Sequence, residues 1–180
     1  MIAEKEIILD ITYKSVSNGF DDAGTKELSL GEIVEQILEI QDSLNLGRWS
    51  GEDYLAQSQS PDCVFLAAIF AVEVCGFLLA RLVPGAVEAA SNGEFGESDV
   101  INFGVTKKFQ RKGIGRRLFR AMLTKLMEKR IRMVWLEVRE SNSKAIKFYT
   151  KEGFQIAQIR RNFYSHPIEN GLVMKLDLTS

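Results

Sequence analysis

Between Val100 and Arg160 the hydrophobic period of the chain changes four times. An apolar run at Val100–Val105 gives way to a helical spacing of Ile114, Leu118, Phe119, Met122, Leu123, Leu126 and Met127, which predicts a helix over 113–129. Strict alternation follows at Met133–Val138, then a helical stretch from Asn142 to Lys151, then a final apolar run at Phe154–Arg160. Strand–helix–strand–helix–strand in this order argues for parallel neighbours. The fold class is therefore α/β, or α+β with a mixed sheet. Gly153 stands where the second helix must stop, and its missing Cβ suits a left-handed cap.

The rest of the chain fits the same class. Residues 6–13 (EIILDITY) read as a strand and 17–25 as a polar loop. Ser29 caps a helix striped by Ile33, Val34, Ile37, Leu38, Ile40 and Leu44, which ends at 45–47. Ser50 with Asp53 three residues on forms a capping box for a short helix over 51–58, and Pro61 bars its continuation. Val64–Ala71 and Val72–Val83 read as a hairpin of buried strands, 84–98 as a mobile loop, and Leu172–Leu178 as a last strand. No repeat or low-complexity tract interrupts the 180 residues, so one domain over 1–180 is expected.

Composition excludes several classes. A net charge of −1 gives no global reason to bind nucleic acid or an anionic membrane. His166 is the one histidine, and Cys63 and Cys75 lie apart in apolar surroundings. That is too few ligands for a usual zinc site, and the cysteines read as buried thiols. No nucleophile motif accompanies His166. The early acids of MIAEKEIILD argue against a signal peptide, and no apolar stretch is long enough to span a bilayer, so a cytoplasmic protein is expected.

Chemistry concentrates in VTKKFQRKGIGRRLFR, residues 105–120. Lys107, Lys108, Arg111, Lys112, Arg116, Arg117 and Arg120 gather there, and no acid occurs between Asp99 and Glu128. Cations at a helix N-terminus oppose its dipole. An anion would offset them, bound by the free N–H groups of the first turn and approached closely at Gly113 and Gly115. A solvated basic face and a nucleic-acid patch are the alternatives. The glycine spacing matches neither a Walker loop nor the three-glycine dinucleotide fingerprint.

In the 133–138 strand, Met133, Trp135 and Glu137 share one face and Val134, Leu136 and Val138 the other. Glu137 is thus a carboxylate in an apolar strand, a candidate general base. The plainer reading pairs it with Arg139 or a basic helix. Asn142 opens the next helix, where capping is its ordinary role. Tyr149 lies on that helix's apolar stripe, where a core aromatic is the ordinary reading.

The segment Gln110–Gly115 (QRKGIG) resembles the Q/R-x-x-G-x-G/A element of the GCN5-related N-acetyltransferases. WLEVRESNSKAIKFYTKEGF at 135–154, followed by IRRNFY at 159–164, is similar to the bacterial ribosomal-protein alanine N-acetyltransferases, the RimI type. The resemblance covers roughly residues 97–164, and Arg48-Trp49-Ser50 weakly extends it. It implies a mixed, mostly antiparallel twisted sheet with splayed central parallel strands and about four flanking helices. It implies acetyl-coenzyme A as co-substrate and no metal. Gln110, Arg111, Lys112, Gly113, Gly115 and Arg116 would hold the pyrophosphate. Phe103 and Val105 would pair with the pantetheine arm through their main chain, and Asn142 would hydrogen-bond that arm. Glu137 would be the general base and Tyr149 the general acid. The implied acceptor is a protein N-terminus such as that of a ribosomal protein, acted on by a monomer or weak homodimer. The first 45 residues, the 84–98 loop and His166–Gly171 depart from the group's pattern. They leave open a small-molecule amine acceptor (polyamine, amino acid or antibiotic), and a non-catalytic acyl-coenzyme A binding module remains a third reading.

Overall fold

The computed structural model describes residues 7–10, 28–47, 49–83 and 96–178. Of the expected elements, the flanks of the first strand, the 17–25 loop and most of the 84–98 loop lie outside these residues, as does Arg48. The described residues fall into two compact units. One lies within 1–81 and 101–125, the other within 82–100 and 126–180.

The first unit begins with strand β1 (Ile7–Asp10) and helices α1 (Leu30–Leu44) and α2 (Gly51–Ser58). Both helices start on a capping box. The Ser29 Oγ accepts from Glu32 N and the Ser29 N–H donates to the Glu32 carboxylate at 2.8 Å. Ser50 and Asp53 repeat the arrangement. Each box satisfies two orphan donors, on the order of 1 kcal/mol. Helix α1 ends at Asn45, which takes the left-handed conformation at φ 52°.

Strands β2 (Cys63–Phe70) and β3 (Glu73–Leu82) form the expected antiparallel hairpin, turning at Ala71 and Val72. Strand order in this unit is β1-β2-β3-β4, where β4 spans Gly96–Val105 and its last five residues belong here. Ile33, Val34, Ile37 and Ile40 of α1 pack with Phe65, Ala67, Phe77 and Leu79 on one sheet face. Each of these side chains larger than alanine contributes roughly 1.5–3 kcal/mol of burial. The alternate residues Val64, Leu66, Ala68 and Leu78 are equally buried. Burial on both faces is why these strands read as unbroken apolar runs. Cys63 and Cys75 are buried thiols, as expected.

Helix α3 (Ile114–Glu128) follows β4 and ends in the second unit. Ile114, Leu118, Phe119, Met122 and Leu126 are buried, but Met127 is 52% exposed, so the apolar stripe is narrower than its spacing predicted.

The second unit holds the first half of β4, β5 (Ile131–Arg139), helix α4 (Ser143–Lys151), β6 (Gln155–Ser165) and β7 (Ile168–Asp177). Strand order is β4-β5-β7-β6. β4 and β5 are parallel, with Ser98 opposite Val134 and Val100 opposite Leu136. β5/β7 and β6/β7 are antiparallel. Three expectations are corrected here. β4 starts at Gly96, so 96–98 are strand rather than loop. β6 runs five residues past Arg160. And β6 is not a parallel neighbour of β5, because the two-residue link to β7 makes a hairpin and β7 takes the edge of β5. The described sheet is thus mixed and mostly antiparallel with one parallel pair, and four α-helices accompany it.

Candidate active site

In the first unit, β4 leads through Thr106 into a 3-10 turn, Lys107–Phe109, then a short turn, then α3. Two residues of that turn adopt the left-handed region, Arg111 at φ 61° and Gly113 at φ 84°. The reversal aims the start of α3 back along the end of β4. A Cβ on Gly115 would stand 3.2 Å from Phe103 Cζ, so the missing side chain lets helix and strand close. Phe103 also packs on Phe119, ring centroids 6.4 Å apart. Phe103, Val105, Gln110–Gly113, Gly115 and Arg116 are therefore brought together.

Gln110 has a local role that its motif did not announce. Its Nε2 donates to the Val105 carbonyl at 2.9 Å and braces the turn against the strand. The first turn of α3 carries no acid. Lys108 and Lys112 both sit over one ring, 5.2 and 5.1 Å from the Phe109 centroid, and Lys108 also pairs with Glu73. Backbone donors, a positive helix end and flexible cations make a cradle for a phosphate.

In the second unit, Met133, Trp135 and Glu137 occupy the partly open face of β5, while Val134, Leu136 and Val138 are buried, as the alternation predicted. The Glu137 side chain is 24% exposed. Its partner is not Arg139. Arg160 Nη1 on β6 donates to Glu137 Oε2 at 2.7 Å, and the same carboxylate acts electrostatically on the Tyr164 phenol. Arg139 is taken instead by Glu169 at 2.6 Å. Sequence spacing missed this because β6 reaches Glu137 only through the β7 register.

Each arginine rests on an aromatic ring. Arg160 stacks over Phe163 at 3.7 Å and Arg139 over Tyr164 at 4.0 Å. Gly171 makes room for this bracket: a Cβ there would lie 3.2 Å from Phe163 and 3.4 Å from the Glu137 carboxyl carbon. Burial and the Glu137 carboxylate push the Tyr164 phenol above its ordinary pKa. Ser141 and Arg139 hold the Glu169 carboxyl below the usual range. With the Arg160 side chain 47% exposed, its ion pair adds at most about 1 kcal/mol to folding. It orients more than it stabilises.

Asn142 is the N-cap of α4, its Oδ1 accepting from Ala145 N at 3.1 Å. Tyr149 is buried between Phe148 and Phe154, and burial raises its phenol pKa well above 10. It is a phenol that keeps its proton at any ordinary pH. A carboxylate on a strand and a protonated phenol on the next helix are groups of the kind that take a proton from an attacking amine and give one to a leaving group.

The chain belongs to the acetyltransferase (GNAT) family, whose model matches residues 34–154. Among individual relatives it is similar to the [ribosomal protein bS18]-alanine N-acetyltransferase of Haemophilus influenzae, 31% identical over 78% of this chain and 89% of that protein. The Salmonella typhimurium protein of the same name is 38% identical over 46% of this chain. That match spans 57% of the Salmonella protein's length, little more than half. The fold resembles the crystal structure of the Escherichia coli ribosomal-protein-S18-alanine N-acetyltransferase (TM-score 0.70, 22% identity, 97% of this chain and 94% of that one). It also resembles Arabidopsis thaliana NAA60 in complex with acetyl-CoA (TM-score 0.75, 17% identity, 98% and 100%). No helix among the described residues is long and apolar enough to cross a membrane.

Proposed function

We propose that this protein transfers the acetyl group of acetyl-coenzyme A to the α-amine of a protein N-terminus, with a ribosomal protein as the expected acceptor. The observation that carries the donor is the acid-free start of α3, entered through the left-handed turn at Arg111 and Gly113. The acceptor class rests on the relatives, which are named for alanine acetylation of ribosomal protein bS18. The residues Gln110–Gly113, Gly115 and Arg116 hold the pyrophosphate, Phe103 and Val105 align the pantetheine arm by their backbone, and Asn142 hydrogen-bonds it.

Glu137 takes a proton from the acceptor amine, and the amine nitrogen forms a bond to the thioester carbonyl carbon. The Val105 backbone polarises that carbonyl. As the carbon–sulfur bond breaks, Tyr149 delivers its proton to the departing thiolate. No covalent enzyme intermediate is needed, which suits a chain with buried cysteines and one histidine.

Thiol release from acetyl-coenzyme A, run against pools of N-terminal peptides and of small amines, tests the reading. Turnover on peptides is expected; turnover on small amines alone overturns the acceptor. Glu137→Gln and Tyr149→Phe are each expected to lower kcat by about two orders of magnitude or more while acetyl-coenzyme A affinity holds. Unchanged turnover in both would place the catalytic groups elsewhere, and silence on every pool with acetyl-coenzyme A still bound would leave an acyl-coenzyme A binding module.

A further inference from the structure

The family's motifs assign no task to the guanidinium that holds the Glu137 carboxylate. We propose that Arg160 is a positioning residue for Glu137: seated on the Phe163 ring in the space Gly171 leaves open, it fixes one carboxylate oxygen so that the other faces the acceptor amine. The proposal rests on Glu137 being the base.

Three observations carry it. The contact is short and specific, Arg160 Nη1 to Glu137 Oε2 at 2.7 Å. The guanidinium is itself placed, stacked 3.7 Å above Phe163, so its direction is set by the ring and not by the flexible stem. And Phe163 can fold inward because residue 171 has no side chain, its ideal Cβ falling 3.2 Å from the ring and 3.4 Å from the Glu137 carboxyl carbon.

The other groups around Glu137 do not substitute for Arg160. Arg139, on the same strand, is bound to Glu169 of β7 and stacked under Tyr164. Tyr164, whose phenol the Glu137 carboxylate and burial hold above its ordinary pKa, carries no charge while protonated. Arg160 is thus the one cation bonded to Glu137 among the described ion pairs. A carboxylate free to rotate spends part of its time with neither oxygen aimed at the amine, and misplacement of a catalytic group lowers the rate without weakening binding. The expected signature is therefore a loss in kcat with KM unchanged.

A double-mutant cycle on the full chain decides the matter. Arg160→Met is expected to lower kcat about ten- to a hundredfold, the scale of one charge-assisted hydrogen bond. KM for acetyl-coenzyme A should stay within about twofold. Arg160→Lys, which keeps the charge but loses the planar stack, should recover part of the loss. In a Glu137→Gln background, Arg160→Met should cost nothing further, because its only route to the reaction has been removed. Phe163→Leu, which unseats the guanidinium but keeps both charges, should show a smaller loss with the same dependence on Glu137 and serves if Arg160→Met folds poorly. Equal losses from Arg160→Met in both backgrounds, or no recovery with lysine, overturn the positioning role and leave the base intact. Full activity in Glu137→Gln alone overturns the base itself, and the positioning role with it.

Discussion

Gly113 is the residue on which the cofactor turn depends most directly. Its φ of 84° lies where an L side chain is strained by about 1–2 kcal/mol. A Cβ there would also stand 3.1 Å from the Arg117 guanidinium. Gly113→Ala is therefore expected to weaken acetyl-coenzyme A binding about tenfold in calorimetry, on the scale of that strain, with kcat at saturation little changed. A mutant with wild-type affinity would mean the turn does not form the cradle. Gln110 makes the complementary point. The motif marked it for the cofactor, yet its side chain braces the Val105 carbonyl. A motif residue can thus also hold the backbone of its site.

The elements show which local signals travel. The Ser50–Asp53 capping box and the Ser29 cap were legible because they are short-range, and the structure adds Glu32 as the partner that completes a box at Ser29. Ser29→Ala is expected to lower stability by about 0.5–2 kcal/mol in denaturant titration, and to leave acetyl-coenzyme A affinity unchanged. A change in affinity would tie α1 to the cofactor cluster. The β6–β7 hairpin is the opposite case. Its inner row runs from Val138 to Leu172 to Ile159, buried on β5 and β7 and half exposed on β6. The weak apolar signal of an edge strand explains why its length was underestimated and its neighbour misjudged.

Across the molecule, two buried phenols, Tyr54 and Tyr149, are expected to make stability fall at alkaline pH. Burial raises the Tyr54 pKa, partly opposed by a hydrogen bond from Asn102, and raises Tyr149 as well. A raised folded-state pKa means the folded chain keeps protons that the unfolded chain releases. Stability is then whole below the unfolded value of 10 and declines as pH rises past it. The unfolding temperature should accordingly fall above about pH 10, and Tyr149→Phe should flatten that fall. A flat profile in the parent protein would contradict the burial. Tyr54 has a second duty: its hydroxyl donates to Gln41 Oε1 at 2.9 Å and accepts from Asn102 Nδ2 at 2.7 Å, tying α2, α1 and β4 through one buried phenol.

By itself the sequence determined the helix starts and stops, the paired buried strands, the acid-free basic turn before α3 and the alternation that sets Glu137 apart on β5. These depend on residues within one turn or one strand, where period, caps and charge act locally. Only the tertiary structure decided that β7 lies beside β5, that Arg160 rather than Arg139 takes Glu137, and that Gly171 opens the space for Phe163. Glu137 meets Arg160 and Gly171 from 23 and 34 positions away, across a strand register set by the packing of whole strands, which no local window contains.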